Sequence, residues 1–215
     1  MGTIRKGANG GFSGKAGSVV GSSWNNIDYI KGLPKLIKRQ ASIKQLDQRA
    51  RFAAALKYLG PIKDILMKGY RGQTSGRTTG FNVGVQHALS FAIIGTYPNY
   101  EVDKSLIAVS KGSIQSYKSV SASAEFVQGN QGSLNMTWLP QINALNAFAD
   151  DGLQVLTYNE QQNLFLFFPD AAERQDAAVS LELPDDYAGN TLHLYVFYVN
   201  REGTRQSNSV WLQPS

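Results

Sequence analysis

Cysteine is absent from the 215 residues. That excludes a disulfide framework, a thiolate zinc site, an iron–sulfur cluster and a cysteine nucleophile. Histidine is almost as scarce, with only His87 and His193. No acidic residue lies within ten positions of His87, and His193 alternates with Leu192 and Leu194. Both therefore read as packed or surface histidines rather than as general bases, which need an oriented partner. Long apolar runs are missing too. Ala88–Ile94 spans seven residues and is broken by Ser90, whereas a membrane span needs roughly 20. No apolar core follows Arg5 and Lys6, so no secretory leader is expected. By default such a chain stays inside the cell that makes it, unless a specialised route exports it or a particle carries it.

Two motifs fall short of a cofactor or metal site. Gly10-Gly11-Phe12-Ser13-Gly14-Lys15 resembles a phosphate loop, but position 9 is Asn and position 16 is Ala. The first glycine and the magnesium-binding hydroxyl of that loop are thus missing. The pairs Asp150-Asp151 and Asp185-Asp186 sit in no calcium-loop pattern and read as turn residues. No cofactor, no metal and no catalytic residue is expected, and the chain reads as a non-enzyme.

Charge is present in quantity but unevenly placed. The net charge is +5; residues 1–100 carry fifteen Lys and Arg against three Asp, a balance of +12, and residues 101–215 carry six against thirteen, a balance of −7. Such a division suits either an anionic partner on the basic half or pairing between the halves of neighbouring copies.

The pattern along the chain predicts three regions. Residues 1–40 form a glycine-rich basic arm and linker, with eight glycines in the first 32 positions. Glycine at that density opposes helix, so short strands joined by glycine turns are expected. An arm with little core needs something to lie against, in this chain or a neighbouring copy. Residues 41–100 are predicted helical. Ser42 and Gln45 have capping-box spacing, and Leu46, Ala50, Ala53, Leu56 and Leu59 share one side. Gly60-Pro61 breaks this helix and starts a second to about Lys68. A third covers Phe81 to Ile94, with Phe81, Val85, Leu89 and Phe91 or Ala92 inward and Gly95 as its C-cap.

Residues 101–215 change to alternation. Strands are predicted near 104–110, 117–127, 133–139, 152–158, 163–168, 177–183, 191–199 and 207–212. Trp138 falls on the third of these, and Leu192–Val199, apolar on both faces, is predicted central. About seven short strands in roughly 100 residues indicate an immunoglobulin/fibronectin-like antiparallel β-sandwich. The fold class is therefore α+β: a glycine-rich β-forming arm, short helices, then the sandwich.

The opening Gly10–Trp24, with Leu33-Pro34, Gln45–Phe52, Gly95–Asn99 and Leu183–Tyr195, resembles an uncharacterised Bacteroidota family of unknown function, over nearly the whole chain. The resemblance implies a shared architecture of arm, helices and terminal sandwich, and no reaction.

From these features the chain is expected to be a self-associating structural protein, a homo-oligomer or polymer such as a filament, tube or particle subunit. The candidate self-association arm comprises Gly10, Gly11, Phe12, Ser13, Gly14, Lys15, Val19, Val20 and Trp24, poised to add a strand to a neighbour. The alternative is a binding module for nucleic acid or another polyanion. Its candidate basic surface is Lys31, Lys35, Lys38, Arg39, Lys44, Arg49 and Arg51, with Trp24 and Tyr29 available for stacking.

Overall fold

A computed structural model describes residues 2–3, 13–24, 27–35, 40–76, 78–117, 119–126 and 132–215. The chain divides into two compact units, Met1–Ser42 and Ile43–Ser215.

The first unit is a four-stranded antiparallel sheet built from β1 (Gly2–Thr3), β2 (Gly14–Ala16), β3 (Val19–Trp24) and β4 (Ile27–Gly32), in the order β1-β4-β3-β2. Ala16 pairs with Val19 across a two-residue turn, where Gly17 takes φ +59°, a conformation that favours glycine. The strands expected of the arm are thus present. A packed core is not: among the described residues 13–24 and 27–35 the one buried position is Gly21, which has no side chain to bury.

The second unit opens with helices α1 (Ile43–Leu59), α2 (Lys63–Gly69) and α3 (Gly80–Phe91). On α1 the buried residues are Ala55, Tyr58 and Leu59, whereas Leu46 is exposed. A repeat of three drifts around a helix of 3.6 residues per turn, so the predicted stripe leaves the core toward the N-terminus. The helix α3 stops at Phe91, and Ile94 belongs to β5 (Ile93–Thr96), which forms a hairpin with β6 (Asn99–Val102). Ala92 is the C-cap; Gly95 lies in the hairpin with φ +97°. Phe91 is exposed and Ala92 fully buried, so the second of the two expected inward residues faces the core.

Seven further strands follow: β7 (Val120–Glu125), β8 (Gly132–Trp138), β9 (Gly152–Asn159), β10 (Leu164–Phe168), β11 (Ala178–Leu183), β12 (Leu192–Val199) and β13 (Val210–Leu212). They form a four-stranded sheet β10-β9-β12-β13 and a three-stranded sheet β11-β8-β7, both antiparallel, and neither closes on itself. The predicted 104–110 strand is instead a short 3-10 turn, Lys104–Leu106, followed by extended chain. Trp138 therefore lies on the second strand of this group.

The alternation of β9 and β12 explains why both of their faces are apolar. Leu156, Tyr158, Tyr195 and Phe197 join the helices in one core. Leu153, Val155, Leu192, Leu194, Val196 and Tyr198 join Leu134, Met136 and Trp138 of the three-stranded sheet in a second. Ile107 and Val109 complete the first core, and their approach needs glycine. A Cβ on Gly69 would meet the Val109 carbonyl oxygen at 2.2 Å, well inside van der Waals contact.

Candidate self-association surface

The register of the arm sheet sorts its side chains onto two faces, since residues directly opposite on antiparallel strands share a face. Val20 pairs with Lys15 and Lys31, Ser22 with Tyr29, and Trp24 with Ile27. One face therefore carries Val20, Trp24, Ile27 and Tyr29 together with Lys15 and Lys31. The other carries Val19, Gly21, Ser23, Asp28, Ile30 and Gly14. Trp24 is 44% exposed, Lys15 and Lys31 are exposed, and Val19 and Val20 are half-buried. Ser13 and Gly14 are exposed, with Gly14 at the start of β2. Gly14-Lys15 thus belongs to a strand, not to the loop-to-helix junction that a phosphate loop requires. Gly10, Gly11 and Phe12 lie outside the described residues.

The basic residues are distributed over both units. Lys31 and Lys35 are exposed in the first; Lys38 and Arg39 lie outside the described residues. Lys44 and Arg49 are exposed on α1 and about 140° apart around its axis at 3.6 residues per turn. Arg51 is half-buried and tied within the fold. Its Nη2 donates to the Leu89 carbonyl at 3.1 Å, and its guanidinium lies 5.9 Å from the Tyr100 ring centre. The Tyr100 hydroxyl in turn donates to Asp47 of α1. Arg51 therefore fastens α1 to α3 and the hairpin.

The β8–β9 loop, residues 139–151, meets the motifs of the sequence only at Asp150-Asp151, of which Asp151 is not a mere turn residue but buried. Leu139, Ile142, Leu145 and Phe148 are exposed on it, Leu145 at 84%. Asn143, Asn146 and Asp151 turn inward, to the loop backbone and to residues 113, 115 and 174. Asn143 Oδ1 accepts from the backbone N–H groups of Leu145 and Asn146, each at 2.9 Å. Asn143 Nδ2 donates to Gln115 Oε1 at 2.8 Å, and Asn146 Nδ2 to the Ser113 carbonyl at 3.2 Å. Asp151 accepts from the Phe148 N–H at 3.0 Å and pairs with buried Arg174. Sequence periodicity misses this surface because the residues that hold it come from 113–115 and 174.

His193 has partners that its sequence neighbourhood conceals. Trp211 Nε1 donates to its Nδ1 at 3.3 Å, and its Nε2 faces Glu160 Oε2 at 3.5 Å. The first contact assigns the proton to Nε2. Glu160 also accepts from Lys104 Nζ at 2.7 Å, and this hydrogen bond holds the Glu160 carboxyl below the usual range, with His193 adding to the effect and partial burial opposing it. Both ring nitrogens are thus engaged, leaving no lone pair to take a substrate proton. His87 is half-buried on α3 beside Phe91, and its Nδ1 has no hydrogen-bond partner among the described residues. Burial, and then Lys111, lower its pKa.

A cleft of about 400 Å³ lies between α2 and the four-stranded sheet. Phe167 and Phe197 line it with Lys68 and Arg201, but also with Asp64 and Asp170. Its charges select no single ligand sign. No group of three or more His, Asp or Glu suited to a metal occurs among the described residues, and no described helix is long and apolar enough to cross a membrane.

Residues 11–213 match a family of unknown function, DUF6266. No curated protein and no solved structure matches the chain.

Proposed function

We propose a function from the premise that the chain belongs to the DUF6266 family, whose match spans nearly all of it: it is a non-enzymatic, self-associating structural protein, the subunit of a filament, tube or particle assembled through its N-terminal arm and its charge-complementary halves. The observation that carries this reading is the arm sheet. Four strands with no apolar side chain buried among the described residues lack the packed face that a small sheet needs for stability. A neighbouring copy supplies such a face, and an arm given to the next subunit propagates assembly.

The body fits the role of a cystine-free building block. Its seven strands in chain order, A to G, give an A-B-E sheet and a D-C-F-G sheet. We read this as an immunoglobulin/fibronectin-like sandwich whose fourth strand lies on the C-F-G side. The glycine-rich opening is read as the mark of a Bacteroidota branch of the family.

Light scattering of the full chain over a range of concentration and salt tests the proposal. Mass should rise with concentration and fall with added salt, which screens exposed charges. A monomer at every concentration overturns it.

A second reading has its own observation: Trp24 and Tyr29 share a sheet face with Lys15 and Lys31, the combination by which sheets bind single-stranded nucleic acid. It predicts salt-sensitive retention of single-stranded DNA or RNA in a filter-binding series. No retention at low salt disposes of it.

A further inference from the structure

Loop 139–151 reverses the usual layout of a surface loop. Asn143, Asn146 and Asp151 point at backbone N–H and carbonyl groups, while Leu139, Ile142, Leu145 and Phe148 point outward. The loop is also held from behind. Gln115 donates its backbone N–H to the Asn146 carbonyl at 2.9 Å, and its own carbonyl accepts from Arg174 Nη2 at 2.9 Å. Four exposed apolar side chains within ten residues of one braced loop are the composition that marks a protein contact where they adjoin.

From this arrangement we infer that the loop is the seat for the arm sheet of a second copy of this chain; the inference rests on the self-association reading and names its two surfaces. Charge selects the occupant. From residue 119 to residue 173 the sequence contains six acidic residues and no Lys or Arg, whereas residues 1–42 contain seven Lys and Arg and one acid, Asp28. Of these six, Asp151 is taken up by Arg174 and Glu160 by Lys104, while Asp150 lies in the loop and Glu173 at its base. Gly152 bridges to Glu173, and the Gln175 N–H donates to the Ala149 carbonyl at 3.2 Å, which lays the backbone of residues 173–175 along that of 149–152. Asp150 reaches Arg201 only at 3.9 Å, with both side chains exposed, a contact worth little in water.

The arm face answers both properties. Val20, Trp24, Ile27 and Tyr29 supply apolar and aromatic surface for the four loop side chains, and Lys15 and Lys31 supply cations for the acidic border. Because the loop and the arm are different surfaces, the contact is heterologous. A pair keeps one free arm on one copy and one free loop on the other, so assembly proceeds to a ring or an open chain.

The absence of cysteine allows a direct test on the full chain. Ala144→Cys and Ser22→Cys each place one thiol at a surface and leave every large apolar side chain in place. A short bis-maleimide added to a mixture of the two variants should give several-fold more covalent dimer than added to either alone. In parallel, Leu145→Asp should weaken assembly roughly tenfold or more, as loss of a central apolar contact does, with an unchanged circular dichroism spectrum. Wild-type protein that stays monomeric removes the self-association reading and this inference with it. Wild-type protein that assembles, with Leu145→Asp assembling equally and no excess of dimer in the mixture, removes this inference alone. Dimer formed equally well by Ala144→Cys alone means loop-to-loop pairing and also overturns it.

Discussion

Arg174 and Asp151 form an ion pair at 3.0 Å with both side chains almost fully buried. Arg174 also lies flat against the ring of Tyr198, 3.8 Å from its centre, and its carbonyl accepts from Trp138 Nε1 at 2.9 Å. One residue thereby joins β8, β12 and the β8–β9 loop. In the absence of disulfides, this polar knot does the fastening at that end of the second core.

A buried pair broken on one side leaves an uncompensated charge, which costs about 3–5 kcal/mol. Arg174→Met and Asp151→Ala should each lower stability by that order, read from urea midpoints at a constant m-value. The double variant Arg174→Met/Asp151→Leu should recover part of the loss, since no charge is then stranded. Single variants as stable as wild type would mean that the pair is solvated in solution.

The second core and its strands were largely legible in the sequence because alternation is a local signal. Leu134, Met136 and Trp138 are buried on one face of β8, and Leu192–Val199 is central between β9 and β13, as the pattern predicts. The failure at 104–110 has a physical cause. Ile107 and Val109 alternate because they pack against the helices, while the Val109 N–H is satisfied by Ser209 Oγ at 3.0 Å and the Ala108 carbonyl by the Tyr70 hydroxyl at 2.9 Å. One-sided burial looks the same in sequence whether or not a strand lies alongside. The short strands of the arm were legible through the glycines that oppose helix. The loop was not, because its exposed Leu145 and its bracing Gln115 and Arg174 are recognisable only together. Arg51, counted with the basic surface, is claimed instead by Leu89 and Tyr100.

Alkaline pH tests the packing of helices on the four-stranded sheet. Tyr58 Oη lies 2.8 Å from Tyr195 Oη, and Tyr195 donates to the Lys104 carbonyl at 2.8 Å. Burial raises the pKa of both phenols far above the usual value, and burial pushes Tyr70 and Tyr198 up to about 12. The unfolded chain ionises its tyrosines near pH ~10. Since the folded values lie higher, the stability these groups contribute is fully present below pH ~10 and is lost as pH rises above it. Part of the phenolate absorbance should therefore appear only with cooperative unfolding. In Tyr58→Phe/Tyr195→Phe the fall of stability with pH should be shallower; an equal slope would place the ionising groups elsewhere.

Stability and assembly should separate at the β8–β9 loop. Asn143 makes hydrogen bonds to two backbone N–H groups and to Gln115, so Asn143→Ala should open the loop. Loss of such partners costs about 1–3 kcal/mol, and hydrogen exchange at the Leu145 and Asn146 amides should quicken accordingly. Leu145, 84% exposed, has almost no buried contact to lose. Leu145→Ser should leave the urea midpoint of the monomeric state within about 0.5 kcal/mol of wild type while reducing association. If Leu145→Ser destabilised the monomer more than Asn143→Ala, the exposed side chains would be holding the fold together, and their outward position would need no second copy to explain it.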